Sequence, residues 1–354
     1  MKKLLTLFVI VVTVLVIGAG LMASVVWGRL HEPYKGYADA EQFVEIPPGS
    51  GTIEIGRRLV KAGVVRDLFI FRVAQRWAGR GRTLKAGEYR FAEPMHAADV
   101  VDRIARGDVH ARRITFPEGL TIVDMAKIYE SRGFGPAADF VTAAGDASLV
   151  KDLDPRAPDL EGYLYPETYA IPRGTPASKL IALMVNRFRA AYTPELQARA
   201  EEQGLTTREV VTVASLVEKE TAQEHERSLV AAVYRNRMRL NMGMQADPTI
   251  IYALQKSGEW DGNLTRADLR LDSPYNTYRY RGLPPGPIAS PRKSSLEAAL
   301  APADVKHLYF VSRNDGSHVF ADTLAQHNRN VYEHQILYFR QKRLRERQQQ
   351  GDRP

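Results

Sequence analysis

The 354-residue chain contains no cysteine. Structural disulfides, thiolate zinc sites, iron–sulfur clusters and cysteine nucleophiles are excluded together. The sequence also lacks a Gly-x-x-x-x-Gly-Lys-Ser/Thr phosphate loop, a Gly-x-Ser-x-Gly nucleophile elbow and a His-Glu-x-x-His zinc pair. Its eight histidines are scattered. His327 and His334 lie on a polar helical stretch and read as structural, so neither a metal nor a cofactor is expected. Charge is missing from one region altogether: none occurs between Lys3 and Arg29.

That uncharged run, residues 4–27, is the clearest positive signal. At about 1.5 Å per residue it spans a hydrocarbon core of about 30 Å. Trp27 stands where an interfacial aromatic belongs. A cleaved signal peptide has an apolar region of only about 7–15 residues and a small-x-small cleavage site. This run is longer, and the residues around Ala23 make a poor site. An uncleaved single-pass anchor is therefore expected. Residues 1–3 form a cytoplasmic stub, 4–27 the transmembrane helix, and the rest is exported from the inner membrane. The net charge of +8 suits nucleic acid, anionic lipid or an acidic polymer equally well. Export and the lack of any nucleic-acid motif argue against nucleic acid.

Residues 28–43 read as a polar linker. A repeat follows. Glu45-Ile46-Pro47-Pro48-Gly49 leads into Thr52-Ile53 and stops at Gly63; Thr115-Phe116-Pro117-Glu118-Gly119 leads into Thr121-Ile122 and stops at Gly133. Each copy reads as strand, Pro/Gly turn, helix and Gly stop. Thr121 and Asp124 have capping-box spacing. Between the copies, residues 84–91 alternate as a strand does, and Ala98, Val101 and Ile104 recur at helical spacing before Gly107. A small α/β module is expected just outside the membrane.

Beyond it the chain holds helices and long Pro/Tyr/Gly loops at 159–176 and 272–291. Thr206 and Glu209 form a second capping box, opening a helix through Glu218 and Glu220. Another helix is expected from Ser228 to Met242. Asp247-Pro248 reads as an N-cap followed by Pro at the first helical position. Ser294 and Glu297 open a further helix, Asn314-Asp315-Gly316 marks a hairpin, and a polar helix runs from Thr323 into a basic tail.

Carboxylates beside aromatic, amide-rich loops are the composition of a carbohydrate cleft, where an acid with poor solvation protonates a glycosidic oxygen. Glu218 shares a helix face with Val211, Ala214 and Ser215; Glu220 shares one with Val213, Leu216 and Val217. Both faces are apolar, so periodicity does not choose between the two acids.

Several motifs do. Residues 214–221 (Ala-Ser-Leu-Val-Glu-Lys-Glu-Thr), 160–169 (Leu-Glu-Gly-Tyr-Leu-Tyr-Pro-Glu-Thr-Tyr), 244–249 (Met-Gln-Ala-Asp-Pro-Thr), 273–278 (Ser-Pro-Tyr-Asn-Thr-Tyr) and 282–288 (Gly-Leu-Pro-Pro-Gly-Pro-Ile) closely resemble the endolytic murein transglycosylases of the MltG (YceG-like) family. Ala246 departs from that pattern, which has a hydroxyl residue there. The resemblance implies an acid/base at Glu218. It implies an α+β fold with an N-terminal transmembrane helix, a LysM-like subdomain at 44–112, a larger mixed α/β catalytic domain at 113–340 and a polar basic tail at 341–354. Gln245, Asp247, Tyr275 and Asn276 are the expected substrate contacts, Asp247 also being readable as a helix cap. The implied partners are peptidoglycan glycan strands, the membrane and peptidoglycan synthases. The implied reaction cuts the bond between N-acetylmuramic acid and N-acetylglucosamine and leaves 1,6-anhydro ends on nascent strands. Two rivals stay open: a lysozyme-type hydrolase and a non-catalytic peptidoglycan-binding scaffold. Glu161 and Glu167 either line the cleft or solvate a loop.

Overall fold

The computed structural model describes residues 2–77 and 82–351. Met1 of the expected stub and residues 352–354 of the tail lie outside them. The chain forms two compact units, one of residues up to 113 with 170–175, the other of 114–169 with residues from 176 onward.

The first unit begins with α1 (Lys2–His31). Its segment Phe8–His31 has a mean hydropathy of 2.7 and is long and apolar enough to cross a membrane. Its apolar side chains are largely exposed. Among the described residues, the last turns are those that touch the module. Leu30 joins the small core, Trp27 meets Trp77 edge-on at 5.9 Å, and Arg29 pairs with Asp67.

The module follows as β1 (Gln42–Ile46), α2 (Thr52–Lys61), α3 (Leu68–Trp77), β2 (Gly87–Phe91) and α4 (Ala97–Arg106). β1 and β2 pair antiparallel, Val44 opposite Tyr89 and Ile46 opposite Gly87. Side chains alternate across a strand, so Val44, Ile46, Tyr89 and Phe91 all face one core with Leu59, Phe71, Val100 and Ile104.

The chain continues through β3 (Ala111–Thr115), α5 (Ile122–Ser131), α6 (Ala137–Ala144), β4 (Thr168–Pro172), α7 (Ala177–Ala191) and α8 (Pro194–Glu202). β3 and β4 pair with one another. Next come α9 (Thr207–Glu220), α10 (Arg227–Arg239), α11 (Asp247–Ser257), α12 (Lys293–Leu300), β5 (Tyr309–Ser312) and β6 (His318–Ala321). α13 (Leu324–Val331) runs through a π-helical turn into α14 (Tyr338–Gly351). The sequence repeat is a structural one: both copies are strand, turn and helix, and Gly49, Gly119, Gly63 and Gly133 all take positive φ. The hairpin at Asn314-Asp315-Gly316 joins β5 and β6 as expected.

α9 is the axis of the second unit. Thr206 accepts from the Glu209 N–H while the Glu209 carboxylate accepts from Thr206, which closes the capping box. Eight consecutive residues, Val210 to Val217, are buried beneath α8, α10, α11 and α12. A helix buried all round must settle its own hydroxyls. Thr212 donates to the Arg208 carbonyl and Ser215 to that of Thr212, each at 2.7 Å.

Two expected helix starts differ. Asp247 is not the N-cap of α11; Ala246 is, and the Ala246 N–H is held by the Thr277 hydroxyl at 3.0 Å. The Asp247 carboxylate instead accepts from the Tyr278 hydroxyl at 2.7 Å. Ser294 does not cap α12. Arg292 stands at that position, and its N–H is taken by a carboxylate distant in sequence.

Candidate active site

Glu218 lies in the last turn of α9, with its side chain only 3% exposed. One oxygen accepts from Arg292 Nε at 2.9 Å. The other accepts from the Arg292 backbone N–H at 3.0 Å and the Ser295 hydroxyl at 2.8 Å. These donors sit at the N-terminus of α12, where unpaired N–H groups favour an anion. The guanidinium reaches Glu118 with Nη2 at 3.5 Å and is about one-third exposed. Behind it, Ser295 accepts from the buried Arg227 at 3.2 Å. The turn at Gly119 closes the other side. A Cβ there would stand 3.7 Å from Glu218 Cγ, and the Gly119 carbonyl accepts from Lys219 Nζ at 3.1 Å.

Glu220 points elsewhere. It is half-buried and accepts from the Tyr234 hydroxyl at 2.9 Å. Burial raises its pKa; the Tyr234 hydrogen bond opposes this, and the Asp247 charge adds to it. Asp247 is exposed and bound to Tyr278. Gln245, also exposed, has φ of 51°. A non-glycine residue in this left-handed region carries about 1 kcal/mol of strain or more, and such strain concentrates at functional loops. Its N–H donates to the Thr277 carbonyl at 3.2 Å.

Tyr275 and Asn276 separate. Asn276 is fully buried and spent on its own loop: it donates to the Leu269 and Leu271 carbonyls and accepts from the Tyr278 N–H. Tyr275 packs on Tyr252 with ring centroids 4.9 Å apart. That pair adjoins a third acid, Glu161, which is buried at the wall of a cavity of about 240 Å³. Burial pushes its carboxyl up to about 8, against the Ile122 N–H, which favours the anion. Glu167 pairs with Arg187 at 3.0 Å.

The elements presenting these acids are tied together. Arg208, in the first turn of α9, donates to Asp154 and to the Pro285 carbonyl; Tyr163 donates to Asp154 at 2.7 Å. The Ile288 N–H donates to Ser215 at 3.1 Å. Segments 154–163 and 285–292 are thereby fixed along α9, so the proline-rich loops are scaffold as well as surface.

The profile of the YceG-like family matches residues 44–333. The chain belongs to that family. An endolytic murein transglycosylase of Bacillus subtilis is 30% identical over 316 residues, covering 85% of this chain and 86% of that protein. One from Streptococcus pneumoniae is 31% identical over 82% of this chain, which spans 58% of that longer relative. A solved yceG-like protein from Listeria monocytogenes has a TM-score of 0.56 at 32% identity, covering 82% of this chain and 99% of that one.

In this YceG-like chain the sequence reading missed Arg292, Ser295, Glu118 and Tyr278. Arg292 and Ser295 meet Glu218 across 74 and 77 residues. Neither has a local signal, because Pro291-Arg292-Lys293-Ser294-Ser295 reads as an ordinary helix start. Tyr278 ends the 273–278 segment, whose sequence carries no signal for its partner Asp247, 31 residues earlier.

Proposed function

We propose that the protein is a membrane-anchored endolytic lytic transglycosylase that cuts nascent peptidoglycan strands, with Glu218 as its single acid/base. Family membership, with named transglycosylase relatives over most of the chain, supports the reaction. The observation that carries the assignment of Glu218 is its setting: a nearly solvent-free carboxyl group at a helix end, held by a guanidinium that is itself about one-third exposed.

Protonated Glu218 gives its proton to the oxygen leaving N-acetylmuramic acid, and the bond from the anomeric carbon to that oxygen breaks. The resulting carboxylate takes the proton of the same sugar's 6-hydroxyl as that oxygen bonds to the anomeric carbon. The acid is restored, no water is consumed, and a 1,6-anhydro end remains. Substrate has to displace the Arg292 guanidinium from at least one Glu218 oxygen, and Glu118 offers it a second carboxylate. Gln245, Asp247 and Tyr275 contact the strand; Asn276 serves it through the loop it holds.

The arrangement along the chain is a cytoplasmic stub at 1–3, an inner-membrane anchor at 4–27, a linker at 28–43, a LysM-like module at 44–112, the catalytic domain at 113–340 and a tail at 341–354. The exposed apolar surface of α1, and the docking of its last turns on the module, support a tether that keeps the enzyme near newly made strands and their synthases. A lysozyme-type hydrolase uses two carboxyl groups and water. Mass spectrometry of digested peptidoglycan separates the two: anhydro ends support the transglycosylase, and reducing ends oppose it.

A further inference from the structure

Glu161 has no part in the reaction proposed above, yet it is a buried acid facing a cavity. The walls are mostly apolar, from Ile122, Val123, Val141 and the Tyr252 ring. Val123 and Val141 are 41% and 43% exposed and form an apolar mouth. Glu161 is only 6% exposed, and each oxygen accepts from the Ile122 N–H at 3.3 Å. The charged pair at the rim is already matched, Lys256 lying 3.7 Å from Asp159.

We propose that this cavity is a glycan subsite that takes the acetamido group of an N-acetylated amino sugar beside the bond cut at Glu218. The proposal rests on the transglycosylase reading. A secondary amide with a methyl group needs one hydrogen-bond donor, one acceptor and an apolar wall. A neutral carboxyl group supplies both polar functions at once, and burial raises the Glu161 carboxyl to about 8, toward the neutral form, with the Tyr252 hydroxyl as its side-chain partner. A cation would find its carboxylate partner Asp159 occupied, and an anion would meet two acids. The volume lies below the range of about 300–1,000 Å³ usual for drug-sized ligands, so it suits one substituted ring and not a longer chain.

The cavity is also in reach of the same strand. Gly119 lies where an added Cβ would meet Glu218 Cγ at 3.7 Å, and the Ile122 N–H binds Glu161; the three residue steps between them span at most about 10 Å. Along α9, Gly162 packs on Val211, which is seven residues or about 10 Å from Glu218. Tyr275, packed on Tyr252 at a tilt of 55° with Lys256 5.7 Å from its ring centroid, extends the wall. Its contact with substrate is therefore made here and not at Glu218.

The test uses the detergent-solubilised full chain and two probes, an N-acetylglucosamine tetramer and the same tetramer without its acetyl groups. Calorimetry should show the acetylated probe binding at least tenfold more tightly. Val141→Trp, at an exposed position that tolerates bulk, should fill the mouth and weaken that binding tenfold or more. Glu161→Leu should do the same, while Glu161→Gln, which keeps a donor and an acceptor, should stay within about threefold. On peptidoglycan, Val141→Trp should raise KM with kcat nearly unchanged. Equal binding of the two probes, or unchanged binding and KM in Val141→Trp, overturns the subsite even if wild type makes anhydro ends. Acetyl-dependent binding lost in Val141→Trp upholds the subsite even if the wild-type product proves to be a reducing end.

Discussion

The carboxylate of Glu218 and the guanidinium of Arg292 lie 2.9 Å apart although 74 residues separate them in the chain. The Arg292 backbone N–H binds the same carboxylate, so truncating the side chain removes only part of the clamp. A hydrogen bond to a charged group is worth about 1.5–3 kcal/mol, or roughly ten- to a hundredfold in rate if it is used in the transition state. Arg292→Ala should lower kcat by that factor with little change in KM. Arg292→Lys should recover only part of it, because an ammonium does not reproduce the guanidinium fork. Quantifying anhydro ends against substrate concentration checks both.

Glu161 makes stability depend on pH. Its carboxyl is raised from 4.5 to about 8, chiefly by burial. Between those values the folded protein keeps a proton that the unfolded chain has lost, so stability falls as pH rises through this window. Lys256 and Asp159 face the group from the rim, with Tyr252 and Tyr275 beside it. Glu161→Gln should therefore melt at a higher temperature than wild type at pH 8, and the gain should shrink toward pH 5. Thermal melts at the two pH values decide it.

Gly162 has φ of 83°, and a Cβ there would stand 2.4 Å from Pro287 Cβ and 2.9 Å from Val211 Cγ1. Gly162→Ala combines the left-handed cost of about 1–2 kcal/mol with overpacking of about 1–3 kcal/mol. A loss of about 2–5 kcal/mol is expected in denaturant titration, with disturbance of both loops that flank α9.

Thr206→Ala removes the side-chain half of the α9 cap. The expected loss is about 1 kcal/mol, seen as a Tm lower by roughly 2–4 °C for a unit of this size.

The parts of this fold that were legible in the sequence are those fixed by neighbours in the chain. The apolar run of α1, the boxes at Thr121 and Thr206 and the turn at Asn314-Asp315-Gly316 each depend on a few adjacent residues, and each is found in place. Helix starts fixed from a distance were not. Ser294 and Asp247 have cap chemistry, but Glu218 takes the N–H at the first site and Thr277 holds the N–H at the second. The site follows the same division. Glu218 and Glu220 occupy equally apolar faces of α9, and only tertiary partners tell them apart: Arg292 and Ser295 for one, Tyr234 for the other. Tyr275 and Asn276 adjoin in sequence, yet one meets Tyr252 and the other is spent inside its loop.

The most direct test of the account is digestion of purified peptidoglycan by the wild-type chain, Glu218→Gln and Glu220→Gln, with mass spectrometry of the strand ends. Acid/base catalysis contributes about 10²–10⁴-fold. The account predicts anhydro ends from wild type, at least a hundredfold fewer from Glu218→Gln, and near-normal yield from Glu220→Gln, where an amide still accepts from Tyr234. Anhydro ends persisting in Glu218→Gln but vanishing in Glu220→Gln would contradict it and move the acid/base to the other face of α9.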